Sequence, residues 1–481
     1  MIHFFSFIAF TAPPRIMRRL TVASALAVCM VFTAALAADE TPEDEKDSQS
    51  ARPPATLRFQ LDASHSTLGP NVSDLYIRIR VKVAKVKAEG RRPINLALVF
   101  DRSGSMAEDA KIGYLRQAGH LVADNLTPQD QLAMIAYNHE VQTLVPMHPV
   151  VNREYLHHRI DELHAEGQTN LSGGLLEGCA AVRKRINEPG LHHVILLTDG
   201  LANRGIWQPD ALVQLVRRCT ADGITVTTFG VGTEYNETLL GRMAQAGGGR
   251  YVYVAKPEEI PAAFKQELGT LLAVVAQNAK LKMKLPVGVE VKQIFGWEEP
   301  QKPGQLEMRL GDLTSGEERV VLVKLRLDGN SRAEGGEGFE LPMVLTYDDV
   351  AQARRIESVQ TAHIERSGRT NATDVSPVLA YAQLVEAVDK IAVAVASMDR
   401  KAAAEVVKIH RYEYPKLKKV AWASRDQDFV NKAYMFEHYA RELQELIDHG
   451  MLHEHSAERA KLQKELHFRR YLKGHHQHNH H

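Results

Sequence analysis

What the chain lacks narrows it first. It carries no net charge, since 59 Lys and Arg balance 59 Asp and Glu over 481 residues, so nothing points to nucleic acid or an anionic membrane surface. Beyond the first 37 residues no uncharged apolar run is long enough to span a bilayer. The richest stretch, 378–396, is interrupted by Glu386, Asp389 and Lys390 and reads as a core helix. There is no G-x-S-x-G and no H-E-x-x-H, the signatures of two hydrolase classes. Gly230-Val-Gly232 and Ala246-Gly-Gly-Gly249 are not followed by the Lys-Ser/Thr of a phosphate loop and read as tight turns needing positive φ. Cysteine is sparse: Cys29, Cys179 and Cys219.

The start of the chain sets an expected compartment. Met17-Arg-Arg-Leu20 is a positive n-region, 21–32 an apolar h-region, and Ala35-Leu-Ala37 a small-x-small cleavage signature. Residues 1–37 are therefore expected to be a signal peptide, with Met17 as the true start and the residues before it an upstream extension. Cys29 follows bulky Val28, which argues against a lipoprotein signal. Residues 38–54 are acidic, contain Pro and have almost no large apolar side chains, the composition of a disordered linker. The expected location is periplasmic or secreted.

What is present is concentrated in Asn95-Leu-Ala-Leu-Val-Phe-Asp101-Arg-Ser103-Gly-Ser105-Met106. The apolar run reads as a strand buried on both faces, and the Asp-x-Ser-Gly-Ser that follows as a loop at its carboxyl end. In an open parallel α/β sheet that edge is where ligands bind. One carboxylate and two hydroxyls, all oxygen, suit a hard cation that keeps part of its water. Between 93 and 272 strands and helices alternate, with strands at 94–100, 132–137, 140–145, 192–198, 224–230 and 250–254. Helices are expected at 109–124, 152–163, 172–185, 208–220, 236–246 and 257–271. Such alternation implies a mostly parallel sheet covered on both faces. The short step at Asn138-His139 permits only a hairpin, so one edge is expected to be antiparallel.

The Asp101/Ser103/Ser105 order resembles the metal-ion-dependent adhesion site of von Willebrand factor type A (VWA) domains, as found in bacterial secreted proteins. The family draws a Thr and an Asp from two later loops. Thr169, in Gly167-Gln-Thr-Asn-Leu, and Asp199, after the apolar strand His193-Val-Ile-Leu-Leu-Thr198, fit those places. The resemblance implies Mg²⁺ (or Mn²⁺ or Ca²⁺) held by Asp101, Ser103, Ser105, Thr169 and Asp199. By the same resemblance the Ser hydroxyls bind directly, the Asp residues often act through water, and a partner's Asp or Glu completes the shell. That is a recognition device; hydrolysis needs a general base beside an activated water. None is evident, because His193 precedes an apolar strand and reads as structural. The expectation is a non-enzymatic, Mg²⁺-dependent protein-binding protein with a role in adhesion or assembly. The alternative is a structural subunit of an envelope complex whose metal only holds loops together.

The flanks differ in kind. Thr56 to Leu61, Leu75 to Val83, Ala279 to Leu285, Glu307 to Leu310, Arg319 to Leu327 and Phe339 to Tyr347 alternate apolar and polar residues as half-exposed strands do. Two isolated strands are marginal, so 55–90 is expected to pair with 277–366 in a β-sandwich into which the VWA domain, 93–272, is inserted. From 374 to 473 the apolar spacing becomes helical, in 376–398, 401–419, 428–448 and 455–472. The His-rich tail 474–481 has metal-ligating side chains but reads as a disordered terminus. Cys179 and Cys219 fall in helices before consecutive strands, side by side if both crossovers are right-handed. Because a bridge demands Cα atoms within about 7 Å, two buried free thiols are expected rather than a disulfide.

Overall fold

The computed structural model describes residues 56–68, 72–85, 92–297, 301–327, 338–366, 376–453 and 455–471. The expected signal peptide, linker and His-rich tail lie outside the described residues. Strands β1 (Leu57–Ala63), β2 (Thr67–Leu68) and β3 (Asp74–Val83) come first. The chain then enters the α/β domain at β4 (Ile94–Asp101), whose eight residues are all buried. A 3-10 turn, Gly104–Ala110, leads to α1 (Lys111–Asn125). The domain continues through β5 (Gln131–Tyr137), β6 (Val141–Pro149), α2 (Arg153–Asp161), α3 (Leu171–Arg183) and β7 (Leu191–Thr198). It ends with α4 (Pro209–Ala221), β8 (Thr225–Val231), α5 (Glu237–Ala246), β9 (Gly248–Val254) and α6 (Ile260–Leu272).

The sheet order is β6-β5-β4-β7-β8-β9, parallel throughout except the β5–β6 hairpin. Its unbroken apolar strands follow from burial on both faces. One face packs against α1, α2 and α6, and the other against α3, α4 and α5. Ile260, Phe264 and Leu268 of α6 form the expected buried stripe, with the Phe264 ring tilted against Phe229 at 4.6 Å between centroids.

Helix α6 runs almost directly into β10 (Val274–Lys284), followed by β11 (Val289–Ile294), β12 (Gln305–Thr314), β13 (Glu318–Leu327), β14 (Phe339–Asp349) and β15 (Arg354–Arg366). Two sheets result, β1-β3-β13-β11 and β12-β10-β14-β15-β2, with one shared apolar core between them. Strand β3 pairs antiparallel with β13 from Lys82–Glu318 to Asp74–Arg326, so the α/β domain is inserted into a β-sandwich. Where the two meet, Gly248 and Gly311 lie back to back at φ of +65° and +74°; a Cβ on Gly311 would strike the Gly248 carbonyl.

The C-terminal part is helical: α7 (Pro377–Ser397), α8 (Arg400–Tyr412), α9 (Tyr414–Ala423), α10 (Gln427–Asp448) and α11 (Ala457–Tyr471). The single helix expected over 401–419 is two, because Pro415 has no N–H to continue the first and suits the opening turn of the second. The bundle packs on the outer face of the first sheet through Tyr76, Phe295, Val320 and Leu322. Arg78 reaches Asp426 there and lies 4.4 Å over the Tyr381 ring. Helix α11 turns back to the α/β domain, where buried Lys464 bonds Glu237 at 2.6 Å and Phe468 meets Tyr251 and Tyr253 edge-on. Among the described residues no helix is long and apolar enough to cross a membrane.

The expectation of free thiols is corrected. Cys179 of α3 and Cys219 of α4 form a disulfide, with Cα atoms 6.1 Å apart. The adjacent parallel strands β7 and β8 hold the two helices within bridging distance on one face, and both residues point inward.

Candidate metal centre

Asp101, Ser103, Ser105, Thr169 and Asp199 come from three separate loops and meet at the carboxyl edge of β4 and β7. The order of assembly follows from the sequence. Strand β4 delivers Asp101 fully buried, and its Oδ1 accepts the Ser103 amide at 2.8 Å, which curls the chain outward. The Ser103 and Ser105 hydroxyls then stand 3.2 Å apart. Strand β7 delivers Asp199, whose Oδ1 accepts the Ser105 hydroxyl at 2.7 Å. Thr169 sits just before α3; a Cβ on Gly200 would stand 3.6 Å from Ser105 Oγ and 3.9 Å from Thr169 Oγ1, which puts Thr169 at the same mouth.

The loops are tied to each other directly. Gly104 N–H donates to Gly167 O at 3.0 Å, and Glu166 N–H to Arg102 O at 2.8 Å. Arg102 bonds Glu166 Oε1 at 2.7 Å and holds that carboxyl below its ordinary range. Asn170 caps α3 by accepting Gly173 N–H at 3.0 Å.

Three residues that the sequence does not single out complete the site. Thr198 donates to Asp101 Oδ2 at 2.6 Å, and Tyr137 stands 3.4 Å from the same oxygen. Both Asp101 oxygens are thus occupied by protein donors, as suits a carboxylate acting through water. Burial pushes the Asp101 carboxyl up to about 6, against the opposing hydrogen bonds from Thr198 and Ser103. Lys111, buried at the start of α1, places Nζ 2.8 Å from Asp199 Oδ2 and 3.3 Å from Ser105 O. Two successive left-handed residues, Asp109 and Ala110, turn the chain so that it can do so. Thr198 has a sequence signal in its place beside Asp199, whereas Tyr137 and Lys111 have none.

The donor set fits a small hard cation. At Mg–O lengths near 2.1 Å, neighbouring oxygens of an octahedron lie roughly 3 Å apart. The Ser103–Ser105 and Ser105–Asp199 separations, 3.2 and 2.7 Å, bracket that value. Among the described residues no three His, Cys, Asp or Glu gather as a ligand cluster, so the site is mostly hydroxyl rather than carboxylate. Lys111 works against an added cation, since it already offsets Asp199.

His193 is structural, as expected. Its Nε2 meets Thr227 Oγ1 at 2.9 Å near the opposite edge of the sheet, and burial pushes the ring down to about 3.

The model of the von Willebrand factor type A domain family matches residues 95–266. The chain is 30% identical over 308 residues to the uncharacterized protein sll0103 of Synechocystis, across 62% of this chain and 72% of that one. It is 27% identical over 292 residues to the uncharacterized protein YfbK of Escherichia coli, across 60% of this chain and 51% of that one. It thus spans about half the length of the Escherichia coli relative. It also resembles a solved von Willebrand factor type A protein from Catenulispora acidiphila, with a TM-score of 0.62 at 14% identity over 87% of this chain and 96% of that one. At that identity the likeness speaks to fold alone. The chain belongs to the von Willebrand factor type A family, whose domains generally mediate protein interactions.

Proposed function

We propose that this is a secreted or periplasmic protein that binds Mg²⁺ (or Mn²⁺ or Ca²⁺) through Asp101, Ser103, Ser105, Thr169 and Asp199, and so captures an Asp or Glu of a partner protein. The observation that carries the reading is the run of three oxygens, Ser103 Oγ, Ser105 Oγ and Asp199 Oδ1, at 3.2 and 2.7 Å at the carboxyl edge of the sheet. A bound ion would supply a hard positive centre with a position left for a carboxylate oxygen. Asp101 would orient the serines through its bonds to the Ser103 amide and Thr198. Export is supported by the leader-like sequence before Ala37 and by the Cys179–Cys219 disulfide, a bond that persists in oxidising compartments. The role is recognition, not catalysis. His193 lies at the far end of the sheet, and burial that pushes its ring down to about 3 makes it too weak a base, and too remote, to activate a water at this site. The structural-subunit alternative is disfavoured by the direct ties between loops, which join Gly104 to Gly167 and Arg102 to Glu166.

Thermal melts across a Mg²⁺ series test the reading. Occupied metal stabilises the native state by about 2.7 kcal/mol at a hundredfold excess over the dissociation constant, and Asp101→Ala is expected to remove the shift. A flat series, with Asp101→Ala superimposable on wild type, sinks the metal reading.

A further inference from the structure

The loop that leaves Asp199 carries three large apolar side chains to the surface: Leu201, Ile206 and Trp207 are 59, 39 and 56% exposed. The other large apolar side chains that the domain exposes, Val141, Val151, Tyr155 and Leu176, are spread over β6, α2, α3 and the turn between β6 and α2, whereas three within seven positions of one loop make a patch that is costly in water unless it serves a contact. The loop is also held in place. Asn203 and Arg204 N–H groups both donate to Thr169 O, at 3.1 and 3.2 Å, and Asn203 Oδ1 accepts Thr169 N–H at 2.9 Å. Ile206 N–H donates to Ser172 Oγ at 2.8 Å. Gly205 has a φ of +65°, and any Cβ there would collide with the Asn170 and Ser172 side chains. The apolar loop is therefore pinned onto the loop that carries Thr169, and it borders the site on its Thr169–Asp199 side.

Resting on the metal reading above, we propose that the loop is the second half of the binding surface: the partner presents its carboxylate beside a bulky apolar or aromatic side chain, which docks on Leu201, Ile206 and Trp207. The two halves are complementary in chemistry. A cation takes one charged oxygen and sets position; the apolar loop supplies area and selects among the many acidic residues on protein surfaces. Exposed tryptophan on a fixed backbone is the side chain most often found to anchor such contacts.

The test uses short synthetic peptides with one Asp flanked by Leu and Phe, and matched peptides with Ser flanks. Binding to the full chain is measured in Mg²⁺ and in EDTA. The expected result is Mg²⁺-dependent binding about tenfold or more tighter for apolar flanks, a preference abolished by Trp207→Ala. That variant keeps the wild-type Mg²⁺ melt shift, which shows that its fold and metal site are intact. Mg²⁺-dependent binding that is equal for both flanks overturns the proposal and leaves the metal reading standing. Apolar-flank binding that survives EDTA and Asp101→Ala overturns both. No binding to either peptide set overturns it too, as does a Mg²⁺-independent blue shift of tryptophan emission, lost in Trp207→Ala, on phosphatidylethanolamine–phosphatidylglycerol vesicles, which assigns the loop to a lipid surface.

Discussion

The two ends of the central sheet bury the same kinds of polar side chain and treat them in opposite ways. At the amino-terminal end, where the β-sandwich attaches, the polar groups pair chiefly with one another, leaving His193 Nδ1 and Arg250 Nε buried without a hydrogen-bond partner. His193 meets Thr227, Thr227 donates to Glu267 at 3.0 Å, and Glu267 pairs with Arg250 at 3.2 Å. Thr225 bonds Asp312 across to the sandwich at 3.2 Å. At the carboxyl end Asp101, Ser103, Ser105 and Asp199 are also bonded in a chain, but it runs out to half-buried Ser105 beside exposed Gly104, so this cluster reaches the surface. A sealed polar cluster fixes one packing, and an open one keeps capacity for a ligand at some cost in stability. The difference teaches which end is scaffold and which is surface, and it can be attacked from either side.

The largest effect is expected at the sealed end. Gly311→Ala puts a Cβ into the Gly248 carbonyl at a φ of +74°. Neither backbone can withdraw without opening the seam between the α/β domain and the sandwich. Denaturant unfolding is expected to show a loss of about 4 kcal/mol or more; a loss under about 1 kcal/mol means the seam is loose and the scaffold assignment wrong.

Next comes the cross-link between α3 and α4, which fixes the helix that begins at the Thr169 loop. Closing a loop with a separation of 40 residues limits the unfolded chain by about 4 kcal/mol on the chain-entropy account. Native protein treated with an alkylating reagent is expected to take no label on these residues and to gain two after reduction in denaturant. Labelling in denaturant without reduction would restore the free-thiol reading.

At the open end, Lys111→Met tests whether an internal cation stands in for a metal. Removing the ammonium leaves Asp199 buried and unpaired in metal-free protein, a loss of roughly 3 kcal/mol. Because the same change removes a positive charge beside the site, Mg²⁺ is expected to bind more tightly and to restore the lost stability. A Mg²⁺ melt shift larger than in wild type is the expected result. An equal or smaller shift means that Lys111 does not compete for Asp199.

Much of this was legible in the sequence, for physical reasons that also explain what was not. Strand β4 is buried on both faces, so its apolar run is unbroken and its end at Asp101 is sharp. Strand β15 carries a weak sequence signal because most of its residues are exposed and only Ala362 and Ile364 are buried, a short alternation at one end. Strand β11 was missed because a register shift between Val291 and Gln293 breaks the period of two. Within the site, Asp101, Ser103, Ser105 and Asp199 lie in strand-end motifs and Thr169 in the loop that opens a helix, each with a local pattern. Lys111 and Tyr137 reach it only through the fold, and pairing of Cys179 with Cys219 depends on a helix separation that no local pattern encodes.

The smallest effect per step, and the cleanest to sign, is the pH dependence of the sealed end. His193 is buried between β8 and its own strand, and burial pushes its ring down to about 3 from an ordinary 6.5. Unfolded, the ring takes a proton as pH falls through about 6.5; folded, it stays neutral to about 3. Between those values the unfolded chain binds one more proton. Stability from this residue is therefore complete above the unfolded value and declines as pH drops, by roughly 1.4 kcal/mol per pH unit. Asp101 and Asp312 run the other way: burial lifts each to about 6, so their contribution is present at low pH and is lost as pH rises through that value. A single stability curve mixes these signs, but the difference between wild type and His193→Gln isolates one of them. Glutamine offers Thr227 a polar partner without a titratable ring, so between about pH 6 and pH 4 the variant's stability is expected to fall less steeply, by roughly 1.4 kcal/mol per pH unit. Parallel slopes for the two proteins would mean that His193 is hydrated in solution and that the amino-terminal end is not sealed.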